Sequence, residues 1–92
     1  MALERRRVVF SGRVQGVGFR ATCRWLARGF DIAGFVRNLA DGRVELVAEG
    51  DSAEIERFLS DVHEQMGGFI REIHTEPEPV GQSSLEGFQV RY

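Results

Sequence analysis

Between residues 6 and 30 the hydrophobic period of the chain changes once, and three glycines, Gly12, Gly16 and Gly18, stand at the change. "RRVVFSGRV" is dense in β-branched residues and reads as a strand ending near Gly12. Phe19, Cys23, Leu26, Ala27 and Phe30 then fall at helical spacing and predict a helix over residues 19 to 29 with one apolar face. Passing from strand to helix within "GRVQGVGFR" calls for backbone conformations that glycine adopts freely and other residues do not. Arg20, Arg24 and Arg28 form a second stripe on that helix, and Arg20 sits in its first turn. The unpaired N–H groups of a first turn already carry partial positive charge, so a cation there is poorly placed unless an anion joins it.

Downstream, Ile32 to Leu39 is strand-like, "ADG" is a turn, and "RVELVAEG" alternates Val44, Leu46 and Ala48 with Arg43, Glu45 and Glu49. A three-residue loop of Ala40, Asp41 and Gly42, with Gly42 left-handed, sets Arg37 opposite Glu45, Val36 opposite Leu46 and Asn38 opposite Val44. A two-residue loop would set Arg37 against Leu46 instead, and a slip of one residue exchanges the faces of a strand. The favoured register turns Asn38 toward the apolar face at the very end of its strand.

Asp51 can cap a second helix whose buried stripe is Ile55, Phe58, Leu59, Val62 and Met66, stopped by Gly67 and Gly68. "FIREIHTE" and "GFQVRY" read as closing strands, and "EPEPVGQSS", residues 76 to 84, reads as a surface loop. The order β-α-β-β-α-β, with a possible terminal strand, fits an α+β, ferredoxin-like sandwich: an antiparallel sheet with both helices on one face. A chain of 92 residues makes one domain spanning 1–92, since it buries only roughly 60–70% of its unfolded surface. In this topology the first two strands run parallel around the third, so both deliver their C-terminal ends to one rim. Asn38 is therefore expected near the glycine loop and Arg20.

Consecutive N–H groups in a glycine-permitted turn, backed by a helix N-terminus, form an anion-binding concavity, and a guanidinium adds a planar fork for two phosphate oxygens. By local chemistry alone the segment is either such a cradle or merely a tight connection with solvated arginines. A Walker loop is excluded, because no Gly-Lys followed by Ser or Thr occurs. "GVGFRA" satisfies the permissive dinucleotide pattern. The following strand enters a hairpin, however, no acid stands at the ribose-binding distance, and the chain is too short for a doubly wound sheet.

Composition narrows the partners. Twelve basic against 14 acidic residues give a net charge of −2, which argues against nucleic acid despite the run Arg5 to Arg7. Cys23, the single cysteine, allows no internal disulfide and no thiolate zinc site. No apolar run is long enough for a signal peptide or membrane span, so a soluble cytoplasmic protein without a membrane partner is expected. His63 and His74 are isolated from the loop and from each other, and neither is a candidate for catalysis.

"GRVQGVGFR" together with the asparagine of "GFVRNLADGRVE" resembles the acylphosphatase family, strongly over residues 7 to 50 and at the level of pattern through "GFQVRY". The resemblance implies the ferredoxin-like fold and metal-independent, cofactor-free hydrolysis of a small acyl phosphate to a carboxylate and inorganic phosphate. Carried across by position, it makes Arg20 the phosphate-binding arginine and Asn38 the residue that orients the attacking water. The amides from Gln15 through Gly16, Val17, Gly18 and Phe19 become the phosphate cradle. A monomer is expected. Cys23 and Asp31 stand where members commonly have threonine and glycine, and Ala21 and Thr22 where aromatic residues are frequent; altered packing or stability is expected from these, more than lost activity. Two alternatives remain: a carbamoyl-phosphate-handling domain of a larger maturation enzyme, which would typically carry proline directly after the Phe-Arg pair, and a non-catalytic phosphate-binding module.

Overall fold

The computed structural model describes residues 3–80 and 85–92. In chain order these form strand β1 (Leu3–Gly12), helix α1 (Phe19–Ala27), β2 (Ile32–Asn38), β3 (Val44–Asp51), α2 (Ser52–Met66), β4 (Ile70–Glu78) and β5 (Phe88–Arg91). A single 3-10 turn, Gly67–Phe69, ends α2 where the paired glycines predict a stop.

One sheet holds the strands in the order β4-β1-β3-β2-β5. β1 and β2 each pair antiparallel with β3, so they run parallel to one another around it, as expected. The antiparallel ferredoxin-like arrangement covers the first four strands. β5 extends it by pairing parallel with β2, which makes the whole sheet mixed. Phe88 falls beside Gly34 and Val90 beside Val36, so the alternation in "GFQVRY" widens the apolar face already set by β2.

That face is the one the helices cover. Val8 and Phe10 of β1, Val36 of β2, and Val44, Leu46 and Ala48 of β3 pack with Phe19, Cys23 and Ala27 of α1 and with Ile55, Phe58, Val62 and Met66 of α2. The Phe10 and Phe19 rings lie 4.9 Å apart between centroids, and Phe58 meets Phe30 at 5.9 Å and Phe88 at 5.4 Å. Each fully buried aromatic or branched side chain contributes about 1.5–3 kcal/mol. Cys23 fills this core, and burial pushes its thiol up to about 12. The Asp51 carboxylate caps α2 by accepting from the Ala53 N–H at 2.9 Å.

The β2–β3 hairpin has the predicted register: Arg37 opposite Glu45, Val36 opposite Leu46, Asn38 opposite Val44. The Leu39 N–H donates to the Arg43 carbonyl at 2.8 Å across the three-residue loop, and Gly42 takes φ 95°. On the sheet face away from the helices the almost fully buried Glu45 bridges Arg7 and Arg37, the latter at 2.6 Å.

Within the stretch 76–84, residues 76–78 depart from the expected loop. Glu76, Pro77 and Glu78 continue β4, opposite Arg7, Arg6 and Arg5 of β1. An edge strand tolerates proline, since its missing N–H need not enter a ladder. Glu76 pairs with Arg7 at 3.1 Å and Glu78 with Arg5 at 3.2 Å, while Arg6 reaches Glu56 of α2 at 2.6 Å. The run Arg5 to Arg7 is thus occupied within the fold. Residues 81–84 of that stretch lie outside the described residues. No helix among the described residues is long and apolar enough to cross a membrane.

Candidate functional site

Residues 13–18 connect β1 to α1 and are anchored before they turn. The Arg13 N–H donates to the Phe69 carbonyl at 2.9 Å, Val14 is fully buried in the core, and Val17 packs against it. Between and beyond these anchors Gly16 and Gly18 take φ 76° and 79°, the left-handed region that side chains disfavour. Gly18 is also the N-cap of α1, and no side chain satisfies that cap. No acid occupies the first turn. Among the described residues no protein acceptor takes the N–H of Gln15, Gly16, Val17, Gly18 or Phe19. Five successive donors in a loop at a helix start are the raw material of an anion cradle.

Arg20 follows at once and is half-buried. Its guanidinium stacks over the Tyr92 ring at 4.7 Å from the centroid and makes a long 3.5 Å contact from Nη1 to the Arg91 carbonyl. No carboxylate among the described residues pairs with it, so its charge is available to an incoming anion.

Asn38 reaches the same region from the end of β2. The hairpin register puts it on the helix-covered side of the sheet, in line with Val36 and beside Val44. Gly16, Gly18, Phe19, Arg20 and Asn38 line one open groove, as the parallel course of β1 and β2 predicts. Gln15 and Val17 do not line it.

The Gln15 side chain has a part that the sequence does not announce. Its Nε2 donates to the carbonyls of Leu39 at 2.8 Å and Arg43 at 3.0 Å, tying the glycine loop to the hairpin that carries Asn38. Both acceptors are main-chain atoms, which leave no residue-type signature, so the sequence points only to the Gln15 amide.

His63, on α2, and His74, on β4, do not line the groove. His74 stands 3.5 Å from Glu76 at the sheet edge. Among the described residues no three His, Cys, Asp or Glu side chains gather as metal ligands would. Chemically, the loop end of the groove offers main-chain donors, the Arg20 guanidinium and one neutral carboxamide, a set suited to holding an oxyanion and aiming a water, with no side chain fitted for proton transfer near neutral pH.

Known proteins share this sequence and this fold. The acylphosphatase family model matches residues 6–90. An acylphosphatase of Haloarcula marismortui is 44% identical over 94 aligned positions, which cover all of both chains. Among solved structures, the acylphosphatase of Bacillus subtilis superposes with a TM-score of 0.83 at 30% identity, covering 99% of this chain and 100% of that one. The HypF structure of T. kodakarensis gives 0.82 at 28% identity, over 97% of this chain but 12% of the other.

Proposed function

The chain belongs to the acylphosphatase family and hydrolyses acyl phosphates, and from that premise we propose that the loop amides and Arg20 bind the phosphate while Asn38 orients the attacking water. The supporting observation is that Gly16, Gly18, Phe19 and Arg20, from the β1–α1 connection, and Asn38, from the end of β2, line one groove.

The N–H groups of Gln15 to Phe19 and the Arg20 fork take the charge of the phosphoryl oxygens, which also draws Arg20 from its stack on Tyr92. Water, hydrogen-bonded to the Asn38 carboxamide, attacks phosphorus. The bond from phosphorus to the acyl oxygen breaks, and its electron pair leaves with the carboxylate. The water's oxygen stays on phosphorus with one proton, and its other proton passes to a phosphoryl oxygen, giving a carboxylate and dihydrogen phosphate. A carboxylate is a good leaving group, so no protein acid is needed and catalysis rests on positioning and charge stabilisation. A neutral amide at position 38 orients water without setting a second negative charge beside the phosphate. The same proposal covers a monomer working in the cytoplasm without metal.

Acetyl phosphate hydrolysis in the presence of a chelator, compared between the parent and the Arg20→Ala, Arg20→Lys and Asn38→Ala variants, tests these roles. Each substitution is expected to lower kcat/KM by about a hundredfold or more, the usual cost of losing one preorganised donor, with the circular-dichroism spectrum unchanged. Asn38→Ala should act mainly on kcat. Near-normal turnover by both alanine variants would reject the assignment.

A further inference from the structure

The groove extends well beyond the atoms that a phosphate can touch. Its volume is about 970 Å³, at the upper end of the range for sites that hold whole small molecules. From Arg20 it runs along α1, with Trp25, Phe30 and Phe88 among its apolar walls and Arg24 and Arg28 on its rim. Trp25 is 67% exposed and gives the groove a broad aromatic wall.

The charges around the groove are one-sided. No aspartate or glutamate lines it. Among the described residues neither Arg24 nor Arg28 meets a carboxylate, whereas Arg5, Arg6, Arg7, Arg37, Arg43 and Arg57 all do. The chain as a whole is slightly acidic, so this cationic strip is local. Helical rise puts Arg24 about 6 Å and Arg28 about 12 Å along α1 from Arg20.

We propose that this extension is the acyl subsite, and that Arg24 and Arg28 favour acyl phosphates with a second anionic group beyond an apolar or aromatic spacer. The proposal rests on the phosphate-binding role given to Arg20 and the loop. With the phosphoryl group at the loop, the spacer lies against Trp25, Phe30 and Phe88, and the distal anion meets Arg24 and then Arg28. Both arginines are exposed, so their contribution is that of solvent-accessible ion pairs: up to about fivefold in affinity at low salt, and less as salt screens them. Because they touch neither the reacting phosphorus nor the water, the gain belongs in KM.

Three substrates separate the parts: acetyl phosphate, too short to leave the phosphate site; benzoyl phosphate, which adds the spacer; and 4-carboxybenzoyl phosphate, which adds the distal anion. At low salt the parent is expected to show a KM for 4-carboxybenzoyl phosphate about three- to fivefold below that for benzoyl phosphate, with similar kcat. The ratio should shrink in Arg24→Gln, approach one in the Arg24→Gln, Arg28→Gln double variant, and fall toward one in 1 M salt. Benzoyl phosphate should lose affinity in Trp25→Ala. A parent that turns over acetyl phosphate but does not prefer the distal carboxylate, or a double variant that keeps the preference, overturns the subsite assignment alone. Failure of the parent to hydrolyse acetyl phosphate overturns the catalytic reading and the subsite with it.

Discussion

Gln15 commits both N–H bonds of its carboxamide to the two carbonyls that flank the hairpin loop, those of Leu39 and Arg43. Each carbonyl keeps a second partner when Gln15 is removed, because Leu39 also accepts from the Gly42 N–H and Arg43 from the Leu39 N–H. Truncation therefore orphans no buried acceptor, and Gln15→Leu is expected to cost only about 1 kcal/mol of stability. Function should suffer more. The tether fixes how far the cradle lies from Asn38, and small displacements of reacting groups are expensive. Steady-state kinetics of Gln15→Leu should show kcat reduced about tenfold, corresponding to ~1.4 kcal/mol, with a smaller change in KM because the loop amides survive. A variant with full kcat would mean that the loop and hairpin are held in register by other contacts. Cys23 is the contrasting case: buried on the apolar face of α1, it fills space, and burial leaves its thiol protonated at neutral pH.

At the level of elements, what is legible in the sequence depends on whether the determining contact is local. The hairpin could be read to the residue because its turn chemistry and facing charges lie within a dozen positions of each other, and Arg37 does face Glu45. Asn38 could be brought to the glycine loop because the handed crossover leaves few topologies. The end of β4 could not. Pro77 and the two acids beside it look like a loop until Arg5, Arg6 and Arg7 are set opposite them from the far end of the chain. The loop into α1 allows a prediction of its own. A Cβ at Gly18 would meet nothing within 4 Å, so only the backbone angle opposes a side chain there. Gly18→Ala should cost about 1–2 kcal/mol, with a thermal midpoint lowered by at least roughly 4–8 °C in a domain of this size. Calorimetry beside the acetyl phosphate assay checks this, and activity should fall along with stability, because the substituted residue is also the N-cap of α1, within the proposed phosphate cradle. An unchanged midpoint would mean that the loop relaxes to another conformation.

For the molecule as a whole, the two faces of the sheet divide chemistry from pH-dependent stability. The helix-covered face leads to the groove, and the catalytic set proposed there, the loop amides with Arg20 and Asn38, contains no group that titrates near neutrality. Turnover of acetyl phosphate should therefore stay flat between about pH 5.5 and 7.5, the interval in which an imidazole would change charge; a steep step there would count against the mechanism. The opposite face carries Glu45. Burial raises its pKa, but hydrogen bonds and attraction from Arg7 and Arg37 outweigh burial and hold the carboxyl below its usual value of 4.5. The unfolded chain then takes up this proton at a higher pH than the folded one, so the contribution of Glu45 is complete above the ordinary carboxylate range and lost as pH falls through the folded-state pKa. Thermal midpoints measured from pH 7 down to 3 should hold nearly level and then drop, with part of the drop missing in Glu45→Gln. That variant should itself lose about 1–3 kcal/mol at pH 7, less than a fully buried pair because Arg7 and Arg37 keep some solvent contact. Acetyl phosphate turnover by the same variant should match the parent at pH 7, since Glu45 faces away from the groove. A matching acid-side drop in parent and variant would assign the pH dependence to the rim pairs Arg5–Glu78 and Arg7–Glu76 instead.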